Sequence, residues 1–274
     1  MEISTIFEDS EIVVIDKPSG LVCNRAVTIQ EATLQDWWDS KYAATRVKPS
    51  PEVQVAPQIQ GLNPCMTDEQ YFVERSGLVH RLDRETSGVM VMAKTTEAFV
   101  SLLKQFKEHS VKKEYLALTH GYWSAREGEI NLPLARRRDD RKKFGVREDG
   151  RESMTHYDVL SEYTNWEFPK ELKVDDRGYV GFSLVSFKPK TGRTHQIRVH
   201  AQQLGHPLVG DMDYAGRKRS REDRKWAFRV MLQAQKIEFE HPRNGKRINF
   251  ESKNEELKNV LKCLGGEANH IPGV

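Results

Sequence analysis

Val79-His80-Arg81-Leu82-Asp83-Arg84-Glu85-Thr86-Ser87-Gly88 sets an aspartate between two arginines, with a histidine just before them. Arginine does not shed its proton, so a guanidinium close to an aspartate holds it ionised. A carboxylate fixed in that state suits nucleophilic attack or proton abstraction without a metal. In isolation the same string reads as a surface loop with a local ion pair, because Asp, Arg and Ser-Gly are ordinary loop residues. A second charged cluster is Thr191-Gly192-Arg193-Thr194-His195-Gln196-Ile197-Arg198-Val199-His200. With Ile197 and Ala201 turned to the core, Arg198 falls at the margin of that face, within reach of a carboxylate in a cleft. The plainer reading is a basic helix with solvated arginines. His195 and His200 miss the i, i+4 spacing that would put two imidazoles on one metal, so a zinc site is disfavoured.

The elements that must position these residues can be read along the chain. Glu11–Asp16 is a strand buried on both faces, ended by the turn Lys17-Pro18-Ser19-Gly20, and Leu21–Cys23 is expected to resume extended structure. Gln30–Ala44 is helical, with Leu34, Trp37, Trp38 and Tyr42 on one side. From Lys48 to Ser76 scattered prolines and polar residues describe a long irregular insertion. Gly88–Ala93 is a short strand. Thr95 or Thr96 caps a helix to about His109. Lys113–Thr119 is a strand with Tyr115, Ala117 and Thr119 on one face and Leu116 and Leu118 on the other. Glu129–Leu134 is a further strand, and Arg136–Arg151 is an exposed excursion. Ser153–Tyr163 and Tyr179–Lys188 are strands whose polar connection favours antiparallel pairing. Thr194 is expected to cap a helix to Leu204, with Ile197, Ala201 and Leu204 inward and Gly205 as its stop. Trp226–Glu240 and Lys246–Phe250 form a hairpin across Pro242-Arg243-Asn244-Gly245. Asn254–Leu264 is a terminal helix, and a tail follows. Helices inserted between hairpin-like pairs predict an α+β fold around a mixed, mainly antiparallel central sheet flanked by helices and loops.

Composition bounds the function. The chain has 274 residues, 38% hydrophobic and 30% charged, with a net charge of +3. That describes a soluble globular protein. No apolar run reaches membrane-spanning length and the N-terminus is not built like a signal peptide, so a cytoplasmic protein with no membrane partner is expected. Cys23, Cys65 and Cys263 are far apart and form neither a disulfide framework nor a metal cluster. Two stretches concentrate basic residues: Arg136-Arg137-Arg138-Asp139-Asp140-Arg141-Lys142-Lys143, and Arg217-Lys218-Arg219-Ser220-Arg221-Glu222-Asp223-Arg224-Lys225. Local patches of this kind suit phosphate backbones, although interspersed acids cancel part of the charge.

His80-Arg81-Leu82-Asp83-x-x-Thr86-Ser87-Gly88, Lys113-x-Tyr115-x-Ala117 and Gly192–His200 resemble, in that order, the signature segments of the RluA family of pseudouridine synthases. Lys17-Pro18-Ser19-Gly20 and Gly205–Asp211 also resemble family segments, and the likeness runs from about Ile6 to Phe250. Five segments in order make the resemblance specific. It implies a pseudouridine synthase catalytic fold and isomerisation of uridine to pseudouridine in structured ribosomal or transfer RNA, with no cofactor and no metal. Asp83 matches the catalytic aspartate, which attacks the ribose C1′ or removes the C2′ proton in the family's alternative mechanisms. Arg198 matches the arginine paired with it, and Tyr115 the tyrosine against the target base. The target uridine must leave its stack, and by analogy the flat guanidinium of Arg81 fills the space. His80, Arg193 and His195 are further expected RNA contacts. So are Arg136, Arg137, Arg138, Lys142 and Lys143, in a loop that matches an RNA-gripping loop of the family.

Larger family members often carry an N-terminal S4 domain, for which Lys17-Pro18-Ser19-Gly20 comes too early. The expected organisation is therefore one catalytic domain over 1–274, with a core of about 6–252, the insertion at 48–76, and a C-terminal helix and tail at 253–274. A monomer is expected. A non-catalytic RNA-binding protein on the same scaffold would predict loss of Asp83, Tyr115 or Arg198, and all three are present. A metal-dependent nuclease would need a ligand cluster that is not visible. A kinase loop is excluded by the intervening Leu82 and by the missing glycine-rich loop and DFG.

Overall fold

Ile12-Val13-Val14-Ile15 has no polar side chain to offer water, and such a run is stable only with both sheet faces covered. A computed structural model of the chain, which describes residues 3–42 and 66–265, shows that arrangement. Cys65, positions 48–65 of the irregular insertion and the tail from 266 lie outside the described residues. The first elements are β1 (Ser4–Glu8), β2 (Ile12–Lys17), α1 (Leu34–Tyr42), α2 (Asp68–Glu74), β3 (Ser87–Ala93) and α3 (Thr96–Lys107). They are followed by β4 (Lys112–His120), β5 (Glu127–Asn131), β6 (Leu134–Arg136), β7 (Phe144–Val146), β8 (Met154–Tyr163) and β9 (Phe182–Pro189). The chain continues through α4 (Gln196–Gln203), α5 (Arg217–Asp223), β10 (Leu232–Glu240), β11 (Arg247–Glu251) and α6 (Glu256–Lys262). Two compact units emerge, Met1–Lys112 with Lys236–Ser252, and Lys113–Gln235 with Lys253–Val274.

In the first unit β2 lies between β1 and β3, antiparallel to both, with Lys17 opposite Gly88. Every residue of β2 and β3 is buried. Leu34, Trp38 and Tyr42 recur at i, i+4, i+8 and form the buried face of α1, whereas Trp37 is only half-buried. Trp38 meets Phe72 of α2 edge-on, and Phe72 meets Phe99 of α3. Leu21–Cys23 does not resume a strand. Its carbonyls are used instead by the start of α1, where the Leu34 N–H donates to Val22 and the Gln35 N–H to Cys23. Helix α2 replaces the end of the expected irregular insertion. It is nucleated by a capping box in which Thr67 and Gln70 satisfy each other's backbone N–H groups. The β10–β11 hairpin pairs Lys236 with Glu251 and Glu240 with Arg247 and turns in the expected place, but its first strand begins at Leu232 rather than Trp226.

The second unit carries the strand order β4-β9-β8-β5, antiparallel throughout. Its two faces are both covered. Leu116 and Leu118 point into a cluster with Phe182, Leu184 and the α6 residues Leu257, Val260 and Leu261. Ala117 and Tyr115 point the other way, toward Val185, Phe187, Ile197 and Ala201. The alternation read from the sequence is therefore the observed one. Full burial of each such aliphatic side chain contributes about 1.5–3 kcal/mol.

Three local expectations for this unit need correction. Arg136–Arg151 is not a bare excursion. Its β6–β7 hairpin pairs Leu134 with Val146, and Phe144 and Val146 pack against Leu134, Val199 and Tyr214. Thr194 does not cap α4. The N-cap is His195 at φ 56°, and the Gln196 amide oxygen instead accepts the Arg193 N–H and the Thr191 hydroxyl. Leu204 is 42% exposed rather than inward, because the helix ends there and Gly205 turns the chain at φ +87°.

Candidate active site

The Asp83 loop is built by two segments brought side by side by the β2–β3 pairing. Lys17 has no exposed surface, and its ammonium donates to the carbonyls of Pro18 (2.9 Å), Leu21 (2.8 Å) and Arg84 (3.1 Å). The Gly20 N–H also donates to Arg84 O, at 2.8 Å. The Ser19 hydroxyl donates to Glu85 O, the Cys23 thiol to Leu82 O, and the Thr86 N–H to Asp83 O. The carbonyls of residues 82 to 85 are thus all engaged, and the half-buried Asp83 sits on a fixed turn. Burial pushes the Cys23 thiol up, which keeps it protonated as a donor. Arg84 does not serve Asp83 as the sequence suggested. Its guanidinium bonds Gly20 O and pairs with Glu31 at 2.8 Å.

Arg81 is exposed beside this turn. His80 has a different setting from the expected RNA contact. Its Nε2 accepts the Val91 N–H at 3.1 Å, and its ring stacks on Phe106 at 4.6 Å, so it braces β3 against α3.

In the second unit Tyr115 of β4 is half-buried opposite Phe187 of β9. Two residues earlier on the same strand, Lys113 donates to Thr191 O at 3.2 Å, and desolvation pushes its ammonium down to about 8. Arg198 is buried on α4. Asp211 grips it with both oxygens, Nε to Oδ2 at 2.7 Å and Nη2 to Oδ1 at 2.8 Å, and Asp213 adds a contact to Nη2 at 2.8 Å. Asp211 has no exposed surface, and its Oδ1 also accepts the N–H groups of Asp213 and Tyr214. Gly210 makes this turn possible. At φ +76° a Cβ would lie 2.2 Å from Arg229 O.

Tyr214 ties two of the expected site segments together, Gly192–His200 and the Arg136–Arg151 loop. Its ring lies 5.0 Å from the Arg198 guanidinium carbon, and its hydroxyl is 2.9 Å from His195 Nδ1. The Phe144 N–H of the β6–β7 hairpin donates to the same oxygen at 3.0 Å. Burial pushes this phenol up to about 12, so it stays protonated. Lys143 anchors the hairpin further by donating to Asp213 O. Arg136 lies over the Phe144 ring, Arg137 pairs with Asp139, and Arg138 and Lys142 are exposed. Arg193 bonds Glu152 O. No role had been read for Asp213 or Tyr214. Two acids and a tyrosine within Asp211-Met212-Asp213-Tyr214, soon after a helix carrying an arginine in need of partners, were the available signal.

A family model described as RNA pseudouridylate synthase matches residues 11–203. An uncharacterised RNA pseudouridine synthase of Aquifex aeolicus is 36% identical over 269 residues, 96% of this chain and 73% of that protein. Ribosomal large subunit pseudouridine synthase D of Pseudomonas aeruginosa is 32% identical over 260 residues, covering 92% and 68%. Among solved structures, human RNA pseudouridylate synthase domain containing 1 superposes with a TM-score of 0.65 at 25% identity, covering 96% of this chain and 87% of that one. The chain belongs to the RNA pseudouridylate synthase family and is of the RluA type. It is an RNA-modifying isomerase with the expected mostly antiparallel α+β fold, and the comparisons give no support to the non-catalytic alternative.

Proposed function

We propose that Asp83 carries the isomerisation, on uridines of structured ribosomal RNA. The observation behind this is the turn itself. Four successive carbonyls, Leu82 to Glu85, are held by Lys17, Ser19, Gly20, Cys23 and Thr86, which fixes the backbone that presents the Asp83 carboxylate. Preorganisation of this kind is what a reacting group needs. The reaction breaks the N1–C1′ bond of uridine, forms a C5–C1′ bond and moves the C5 proton to N1, so it needs no net reagent. Asp83 starts it by attacking C1′ or by removing the C2′ proton. Tyr115 supplies a ring face for the flipped base, Arg198 a fixed cation, and Arg81 the group that enters the vacated stack. The β6–β7 hairpin contacts phosphates through Arg136, Arg137, Arg138 and Lys142. Lys143 and His195 position that hairpin rather than touch RNA.

The ribosomal assignment is supported by the relatives named for large-subunit ribosomal RNA. The test is Asp83→Asn, assayed by tritium release from ribosomal RNA transcripts carrying 5-tritiated uridine. Loss of at least about a thousandfold in rate is expected, with RNA affinity within about threefold of wild type. Retained turnover in the purified variant would remove Asp83 from this role. Wild-type turnover on transfer RNA alone would move the substrate.

A further inference from the structure

Of the second basic stretch, Asp223 and Arg224 brace Gly210, and the exposed cations take no part in the site described above. Around α5, Arg217, Lys218, Arg219, Arg221, Arg224 and Lys225 stand against two acids, Glu222 and Asp223. Both acids are already committed. Asp223 is fully buried and holds His120 Nε2 at 2.9 Å, the Tyr179 hydroxyl at 2.7 Å and the Gly210 N–H at 2.9 Å. Glu222 takes Lys225 at 2.6 Å and the Asp175 N–H at 2.7 Å. Arg224 turns back onto the carbonyls of Gly210 and Phe228, and Lys218 lies 3.7 Å from Asp175. Arg217, Arg219 and Arg221 are left with no carboxylate at ion-pair distance among the described residues.

Their placement continues a surface already in use. One hollow of about 490 Å³ is bordered by Arg137, Arg138 and Arg147 of the hairpin region, and by Gly216. A second, of about 460 Å³, is bordered by Gly216, Arg217, Lys218 and Arg219. Gly216 is common to both, so a lining of arginines and Lys218, interspersed with the already paired Asp139, Asp213, Asp175 and Glu222, passes from the β6–β7 hairpin to α5 within one unit. Separate arginines along a shallow track, with their neighbouring acids occupied, match the spacing of charge on a phosphodiester chain and the fork of the guanidinium.

We propose that the α5 arginines are a second grip on the RNA backbone, extending the hairpin contact along a helical flank of the substrate. This rests on RNA being the substrate, and it adds that the preferred RNA carries structure beyond the modified loop. The test compares wild type with a variant carrying Arg217→Gln, Arg219→Gln and Arg221→Gln. Binding of a fluorescein-labelled RNA hairpin of about twenty base pairs is read by anisotropy over a range of potassium chloride. Each lost phosphate contact lowers the slope of log affinity against log salt by about 0.9. The slope is expected to fall by about 2–3, and affinity at low salt by at least about tenfold. Lysine at the same three positions should restore most of the slope. An unchanged slope and affinity overturns the proposal. So does loss of binding to polyglutamate with RNA binding intact, which would assign the surface to an acidic protein partner. Should the triple variant melt early by circular dichroism, Arg217→Glu, at an exposed position, reads the same slope. If the slope falls but wild type forms no pseudouridine in ribosomal RNA, the grip stands and the substrate reading fails.

Discussion

A lysine with no exposed surface loses most of its hydration, so its ammonium must find compensating acceptors. Lys17 finds three carbonyls, one of them on the turn that carries Asp83. Lys17→Met would keep the volume and strand those acceptors, at a cost of about 2–4 kcal/mol. We expect a lower urea midpoint and a lower rate at saturating RNA. A rate equal to wild type would show that the turn holds without the lysine. Lys113 gives a second expectation at this scale. The folded ammonium deprotonates at about 8 against an ordinary 10.5. Between those values the unfolded chain binds more protons, so stability rises with pH, by at most about 1.4 kcal/mol per pH unit. Urea melts from pH 8 to 10.5 should show this rise for wild type and a flatter profile for Lys113→Met. The Asp83 motif was legible because its residues are contiguous. The immediate surroundings of Arg198 were not, because Asp211 and Asp213 reach it across the turn that follows α4.

The elements most visible in the sequence were those with a strong apolar period. β2, β3, α3 and β4 fall within a residue or two of expectation. Helix α5 was missed because Arg217–Asp223 has no apolar face to betray it. Helix α2 was missed although the Thr67…Gln70 capping box was in view. The β6–β7 hairpin was missed because three-residue strands carry too little alternation to register, and its packing depends on Tyr214, far along the chain. That dependence is testable. Tyr214→Phe removes the oxygen that accepts the Phe144 N–H and meets His195. A loss of about 1 kcal/mol is expected locally, read as an approximately fivefold faster amide exchange at Phe144. Unchanged protection there would mean the hairpin stands on its own side chains.

For the whole molecule, a net charge of +3 says little, and the separation of charge says more. The acids that border the α5 surface are spent on fixed partners, while Arg217 and Arg221 are exposed to solvent. Among the described residues, no group of three or more His, Cys, Asp or Glu side chains is arranged to hold an ion. The reaction proposed for Asp83 calls on no ion, and pseudouridine formation by wild type is expected to survive exhaustive treatment with EDTA. Loss of activity restored by added magnesium would show that an ion takes part, through the RNA or the protein.

The link from Lys17 to the carbonyl of Arg84 joins positions 67 apart in the chain. A polypeptide still being synthesised cannot close that link until β2 and β3 have both left the ribosome and paired. Until then the aspartate sits on a slack segment with no fixed direction. On the role proposed for Asp83, an emerging chain would stay chemically silent until this half of its fold is complete.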